Sequence, residues 1–273
     1  MSPKPSAPQQ PAVLVRHEMP RRAPRFAHRA ARSLLARLVG GEVSTDDTIA
    51  EQRAAMESAF ARLPILPGAD VREASVGGVP GRWLTPRRKR PGVLAYFHGG
   101  AYTLGSSRTH APPTGWPWRA TRPVAAGLSI AAMLRARDAG APQPAAAWLL
   151  CPWVDLTMAH SLPVMGESGD LRPEELSWSA RGYAGERLAD PMVSPMLADL
   201  SGLGPLLVQT GGDDALGEEA IVLAANAVVA GVDVRLEVFE EMGHVFQLLY
   251  TPFPEAVAAR RHGARFLDNH LSA

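Results

Sequence analysis

Three short segments carry residues whose chemistry could be used together. His98-Gly99-Gly100-Ala101 sets two glycines in succession. With no side chain in the way, backbone N–H groups can converge on a small anion. That is how an oxyanion hole is built, and one such donor contributes about 3–4 kcal/mol to a transition state. Gly211-Gly212-Asp213-Asp214-Ala215-Leu216 offers carboxylates, and Glu241-Met242-Gly243-His244-Val245-Phe246 offers an imidazole. At neighbouring strand ends the two could act as orienter and general base. Each also has a plainer reading: a Gly-Gly turn, helix-capping acids ahead of Glu218 and Glu219, and a surface histidine. No His-x-x-x-His or comparable ligand spacing accompanies them, so a metal site is poorly supported.

The elements that must position these groups are legible from periodicity. Val93 to Phe97, Ala145 to Leu150 and Pro205 to Gln209 are continuous apolar runs, the pattern of strands buried on both faces. A further strand is predicted at Val234 to Phe239. Leu128 to Asp138, Glu218 to Ala230 and Pro254 to Asn269 read as helices between or after them. Alternating strand and helix implies a mostly parallel α/β sheet flanked by helices. In such sheets ligands bind beyond the strand ends, where all three segments fall. Upstream, Val71 to Val76 and Gly81 to Thr85 read as a hairpin turning at Gly77-Gly78. Two helices are expected before it, at Arg29 to Leu38 and at Thr45 to Leu63, the second beginning near Ser44 or Thr45 behind Asp46, Asp47 and Glu51.

His98-Gly-Gly-Ala-Tyr-Thr-Leu-Gly-Ser106 resembles the oxyanion motif of the hormone-sensitive-lipase-like carboxylesterases, an α/β-hydrolase family. Trp148-Leu-Leu-Cys-Pro-Trp-Val-Asp-Leu-Thr157 is similar to that family's strand after the nucleophile helix. Asp190-Pro-Met-Val-Ser-Pro195 and the Asp214 and His244 segments follow in the family's order. The resemblance covers nearly everything from about residue 30 onward, apart from one interval. It implies an α/β-hydrolase domain over 25–273, with cap helices at about 29–63 and 175–185. It implies Gly99 and Gly100 as oxyanion donors supported by His98 and Ala101, Asp214 as orienting acid with Asp213 second to it, and His244 as base. Small-molecule esters with short acyl chains are the implied substrates.

One component is missing. The family carries its nucleophile in a Gly-x-Ser-x-Gly elbow between a strand and a helix, and no such pentapeptide occurs in the chain. Ahead of Gly127-Leu-Ser-Ile-Ala-Ala-Met-Leu-Arg135 the sequence reads Gly115-Trp-Pro-Trp-Arg-Ala-Thr-Arg-Pro-Val-Ala-Ala126, with Pro123 in the register of the serine. The interval from Tyr102 to Ala126 is also too short for two crossovers of about 30 residues each. One strand and a normal elbow strand are therefore expected to be absent. A GC-rich coding of Arg-Leu-Ala-Val-Ala-Gly-Asp-Ser-Ala-Gly-Gly-Gly, read one base late, yields the peptide Gly115 to Ala126. A deletion near His110 followed by an out-of-frame elbow would explain the interval. Ser129, in Gly127-Leu-Ser129-Ile-Ala131, is the remaining alternative nucleophile, although the resemblance sets it inside the helix. Ser106, Ser107 and His110 have no spacing that presents them to His244, and Cys151 reads as a core thiol.

Composition bounds the rest. The chain has 273 residues, 46% of them hydrophobic, with a formal net charge of +1. That balance argues against a nucleic-acid surface. No apolar run approaches the roughly 18 residues of a membrane span. The single cysteine excludes an internal disulfide and suits a reducing, cytoplasmic setting. Residues 1–24 are rich in Pro, Ser and Gln and are expected to be a disordered tail. The Arg-rich stretch from Arg29 to Val39 reads as a cap helix, with a transit or membrane-surface helix as the alternative.

Overall fold

A computed structural model describes residues 12–18, 47–60, 69–86, 92–107, 126–161, 171–249 and 253–271. The strands are β1 (Val13–His17), β2 (Ala69–Val76), β3 (Val79–Pro86), β4 (Ala147–Leu150), β5 (Leu206–Gly211) and β6 (Val234–Phe239). The helices are α1 (Ile49–Phe60), α2 (Ala126–Asp138), α3 (Pro173–Ala184), α4 (Gly217–Val229), α5 (Phe246–Leu249) and α6 (Pro254–Leu271). Strands β1, β6, β5 and β4 form one parallel sheet in that order, and β2 and β3 form a separate hairpin. The hairpin turns on Gly77 and Gly78, whose φ values of 59° and 84° suit the tight two-residue turn that matches strand twist.

Alternation along the strands sorts the core into two layers. Leu149, Leu206, Val208, Val234, Leu236 and Val238 share one face and pack with Ile130, Met133 and Leu134 of α2 and Leu223 and Ala227 of α4. Trp148, Leu150 and Leu207 share the other face and pack on Ala264 and Leu267 of α6. Leu149, Leu150, Leu206 and Leu207 are all fully buried, and burying one such side chain stabilises by about 1.5–3 kcal/mol. A sheet covered on both faces accounts for the continuous apolar runs at these strands.

The structure departs from the sequence reading in three places. Val13–His17 is not a disordered tail: it pairs in parallel with β6 from Val13 opposite Arg235 to His17 opposite Phe239. Its partner edge supplies the backbone bonds that its own composition cannot, and His17 stacks on Phe239 at 4.2 Å. Val93–Phe97 joins neither sheet, and Val93 and Leu94 stay 71% and 44% exposed. A strand buried on both faces needs partners beside it, and the described sheet ends at β4. Helix α1 begins at Ile49, later than Ser44 or Thr45. Thr48 is its cap: the Thr48 N–H donates to Glu51 Oε2 at 2.8 Å and the Glu51 N–H returns to Thr48 Oγ1 at 3.3 Å. The helix expected at Arg29 to Leu38, His110, and the interval containing Pro123 lie outside the described residues.

Candidate active site

Two loops leave the neighbouring strands β5 and β6 and are fastened to each other by backbone. The Gly212 N–H donates to Phe239 O at 2.8 Å, and the Asp213 N–H donates to Met242 O at 2.9 Å. This approach requires glycine at 211, since a Cβ there would stand 2.0 Å from Met242 O. Asp213 is left exposed while Asp214 is turned inward and buried. His244 Nδ1 donates to Asp214 Oδ1 at 3.0 Å. A carboxylate can only accept, so the bond fixes the tautomer with the proton on Nδ1. Nε2 is then the unprotonated ring nitrogen.

Asp214 is held from several sides. Its Oδ1 also accepts the Leu216 N–H at 3.0 Å, and Oδ2 accepts Thr210 Oγ1 at 3.3 Å. Burial works against the charge on Asp214, yet the attraction of His244 and these hydrogen bonds outweigh it and hold the carboxyl below its ordinary range. Cys151 sits against the pair, its Sγ accepting the Val245 N–H at 3.2 Å. Burial, and next the Asp214 charge, push the Cys151 thiol well up, so it stays protonated. Among non-glycine residues, left-handed φ values cluster at Cys151 (43°), Glu241 (61°) and Val245 (52°), and again at Ala101 (49°) and Tyr102 (65°). Each such residue costs on the order of 1–3 kcal/mol and persists where surrounding contacts dictate it.

The His98–Ala101 turn is docked by packing rather than by strand pairing. Gly100 has φ 113°, and a Cβ there would lie 2.1 Å from Leu104 O, so the tight turn closed by Leu104 N–H to Gly100 O at 2.7 Å excludes any other residue. His98 Nδ1 donates to Gly99 O at 2.8 Å. Ala101 and Tyr102 pack on the cluster containing Trp153, Ala215 and Leu216, directly beyond Asp214. The Tyr102 hydroxyl donates to Trp153 O at 2.6 Å. Two helices reach the same turn: Arg53 Nε of α1 donates to Thr103 O at 2.6 Å, and Tyr183 of α3 stacks on Tyr102 at 4.8 Å.

Ser129 lies half-buried within the first turns of α2, in regular helix and not on a strand-to-helix elbow. Its helix is seated through Gly127, where a Cβ would collide with the Tyr102 hydroxyl. Glu219 is a residue that sequence reasoning passed over as a helix-start acid. Its Oε2 accepts the N–H groups of Val154 and Asp155, both at 2.9 Å, tying α4 to the loop after β4. Burial pushes its carboxyl up to about 7. The Asp-x-x-x-x-Glu spacing from Asp214 was the available signal, but only the folded loop shows what Glu219 holds.

The chain is similar to known hydrolases in both sequence and fold. A family described by the alpha/beta hydrolase fold matches residues 124–248. An acetyl-hydrolase of Streptomyces hygroscopicus is 31% identical over 263 residues, covering 77% of this chain and 86% of that protein. The chain belongs to the hormone-sensitive-lipase-like esterases of the α/β-hydrolase fold. An esterase of Acinetobacter venetianus is 25% identical, over 75% of this chain and 84% of its own. Among solved structures, an esterase from the bacterial hormone-sensitive lipase family superposes with a TM-score of 0.76 at 26% identity, covering 91% of this chain and 99% of the other. A hormone-sensitive lipase from a metagenome library gives 0.72 at 26% identity, over 89% and 98% of the two chains. No helix among the described residues is long and apolar enough to cross a membrane.

Proposed function

We infer that this chain is a carboxylic ester hydrolase by descent, of the acyl-enzyme type acting on short acyl esters, and that as written it turns over little or no substrate. The observation that carries the first half is the His244–Asp214 pair at 3.0 Å, set at the ends of adjacent parallel strands. In the complete reaction a serine attacks the ester carbonyl and His244 takes its proton. Asp214 holds the imidazole and stabilises it when charged, and the N–H groups of Gly99 and Gly100 meet the oxyanion. No metal or organic cofactor enters these steps.

The second half rests on the missing elbow. Pro123 has no nucleophilic atom, and Ser129 sits in helix. The alignment with the Streptomyces hygroscopicus relative runs over 263 residues while taking in 77% of a 273-residue chain, so part of the relative has no counterpart here. The family match begins only at residue 124. A non-catalytic remnant, either binding-only or poorly folding, is the second reading, favoured by the exposed Val93 and Leu94, which join neither sheet. A cytoplasmic location rests on the lone cysteine.

A fluorophosphonate probe, which labels activated serines covalently, tests the reading. No labelling of the chain is expected beyond that of the His244→Ala variant. Labelling at Ser129 that His244→Ala abolishes would identify a working nucleophile and overturn it.

A further inference from the structure

Among the described residues, a second cluster of metal-binding side chains lies apart from the dyad. His17 ends β1, Glu237 is on β6 and His262 is on α6, and each offers one ligand atom within 4.8 Å of the others. We propose that His17 Nε2, the Glu237 carboxylate and His262 Nδ1 bind one divalent transition ion of the zinc class, which clamps β1 to the body of the protein.

The Glu237 side chain is fully buried. Its Oε2 accepts His262 Nδ1 at 3.2 Å and Gln209 Nε2 at 2.8 Å. Its Oε1 accepts Arg235 Nε at 2.7 Å and stands 3.9 Å from His17 Nε2. That His17 nitrogen is buried with no hydrogen-bond partner, a state that costs about 1–3 kcal/mol. Stacking on Phe239, with ring planes 15° apart, fixes the direction in which it points. Ligands bound at about 2.0–2.1 Å around a tetrahedral zinc sit roughly 3.4 Å apart. The two Glu237 oxygens lie near that spacing from the imidazoles, Oε2 3.2 Å from His262 Nδ1 and Oε1 3.9 Å from His17 Nε2, so an ion held by both rings draws the His17 side inward.

The donor set decides the class of ion. Two imidazoles and one carboxylate suit zinc, cobalt or nickel, whereas calcium and magnesium take oxygen ligands. The His17 and His262 side chains are 25% and 28% exposed, so the cluster lies close beneath the surface. Arg235 is the competing cation. It is 41% exposed and can release Glu237 by turning outward. The ligands lie on three separate elements, β1, β6 and α6, so an ion adds to the parallel pairing that already holds β1 to β6. The expected effect is therefore on stability and on ordering of the strand, independent of ester chemistry.

The test uses the tag-free full chain, stripped with chelator and titrated with Zn2+ by calorimetry and with Co2+ by visible absorption. One equivalent should bind, raise the Tm and give the absorption of four-coordinate cobalt. His17→Gln and His262→Gln should each weaken binding at least about tenfold, the scale of losing even an outer-shell partner. Arg235→Gln should tighten it, and His270→Gln and His244→Gln should leave it unchanged. Three results would overturn the proposal. One is an unmodified chain with no Tm shift and no cobalt band. Another is binding that survives both His17→Gln and His262→Gln. The third is binding lost in His244→Gln, which would place the ion at Cys151, Asp214 and His244.

Discussion

On the proposed function the loops after β5 and β6 supply the base and its orienting acid and the segment 92–107 the oxyanion donors, yet they are held in opposite ways. Asp214 and His244 stand on adjacent strands of a sheet covered on both faces, and backbone bonds from Gly212 and Asp213 lock their loops together. The His98–Ala101 turn closes on itself and leans on Trp153 and Leu216, while Val93 and Leu94 ahead of it lie in solvent. Parts whose supports are near neighbours in the sheet are assembled. The His98–Ala101 turn is held instead by side-chain packing and side-chain hydrogen bonds. The contrast separates what each strand pair secures locally from what only the complete sheet secures.

The largest expected effect comes from repairing that difference. Replacing residues 108–126 with the corresponding interval of the Streptomyces hygroscopicus relative should raise ester turnover by on the order of 10⁴-fold or more, the scale lost when a triad member is removed. In the repaired chain, Asp214→Asn should return about 10⁴-fold of that gain, because the imidazole loses its tautomer. Equal ester hydrolysis by the repaired chain with and without Asp214→Asn would show the dyad to be incidental.

Stability sharpens the same contrast. Leu149→Ala, inside the assembled layer, should cost about 2–5 kcal/mol in denaturant unfolding. Val93→Ala should cost no more than about 0.5 kcal/mol in the chain as written, the range of surface substitutions. It should cost more once the interval is repaired and Val93 gains neighbours. Equal costs at 93 before and after repair would erase the distinction between the two regions.

The last effect is a slope. Glu219 has its carboxyl raised to about 7 in the folded chain, against an ordinary value near 4.5. The folded state therefore holds its proton more tightly than the unfolded one. Stability from this group should fall as pH rises from about 4.5 to about 7 and then level off. Glu219→Gln should flatten that interval, read as the unfolding midpoint against pH. A slope unchanged in the glutamine variant would mean that other groups set it.

Much of this was legible in the sequence, for identifiable reasons. β4, β5 and β6 announce themselves because strands buried on both faces must be apolar throughout. The segments of Gly99-Gly100 and Asp214 stand out because Gly100 and Gly211 are dictated by backbone approach, and the His244 segment because it follows a strand. Asp214 could be preferred to Asp213 from motif register, and the burial of Asp214 beside an exposed Asp213 agrees with that preference. β1 was hidden because its pairing bonds come from a strand more than two hundred residues away. The same apolar rule misread Val93–Phe97, since a strand pattern does not reveal whether its partners are present. His17, Glu237 and His262 obey no spacing rule, because three elements bring them together.

Whether the assembled dyad has anything to activate is read most simply from hydrolysis of p-nitrophenyl acetate and butyrate by the purified chain beside its His244→Ala variant. On the proposed reading both proteins show the same background rate, because no nucleophile is there for His244 to activate. Turnover well above background that disappears in His244→Ala would contradict this, and would mean that the chain holds a nucleophile other than the missing elbow serine.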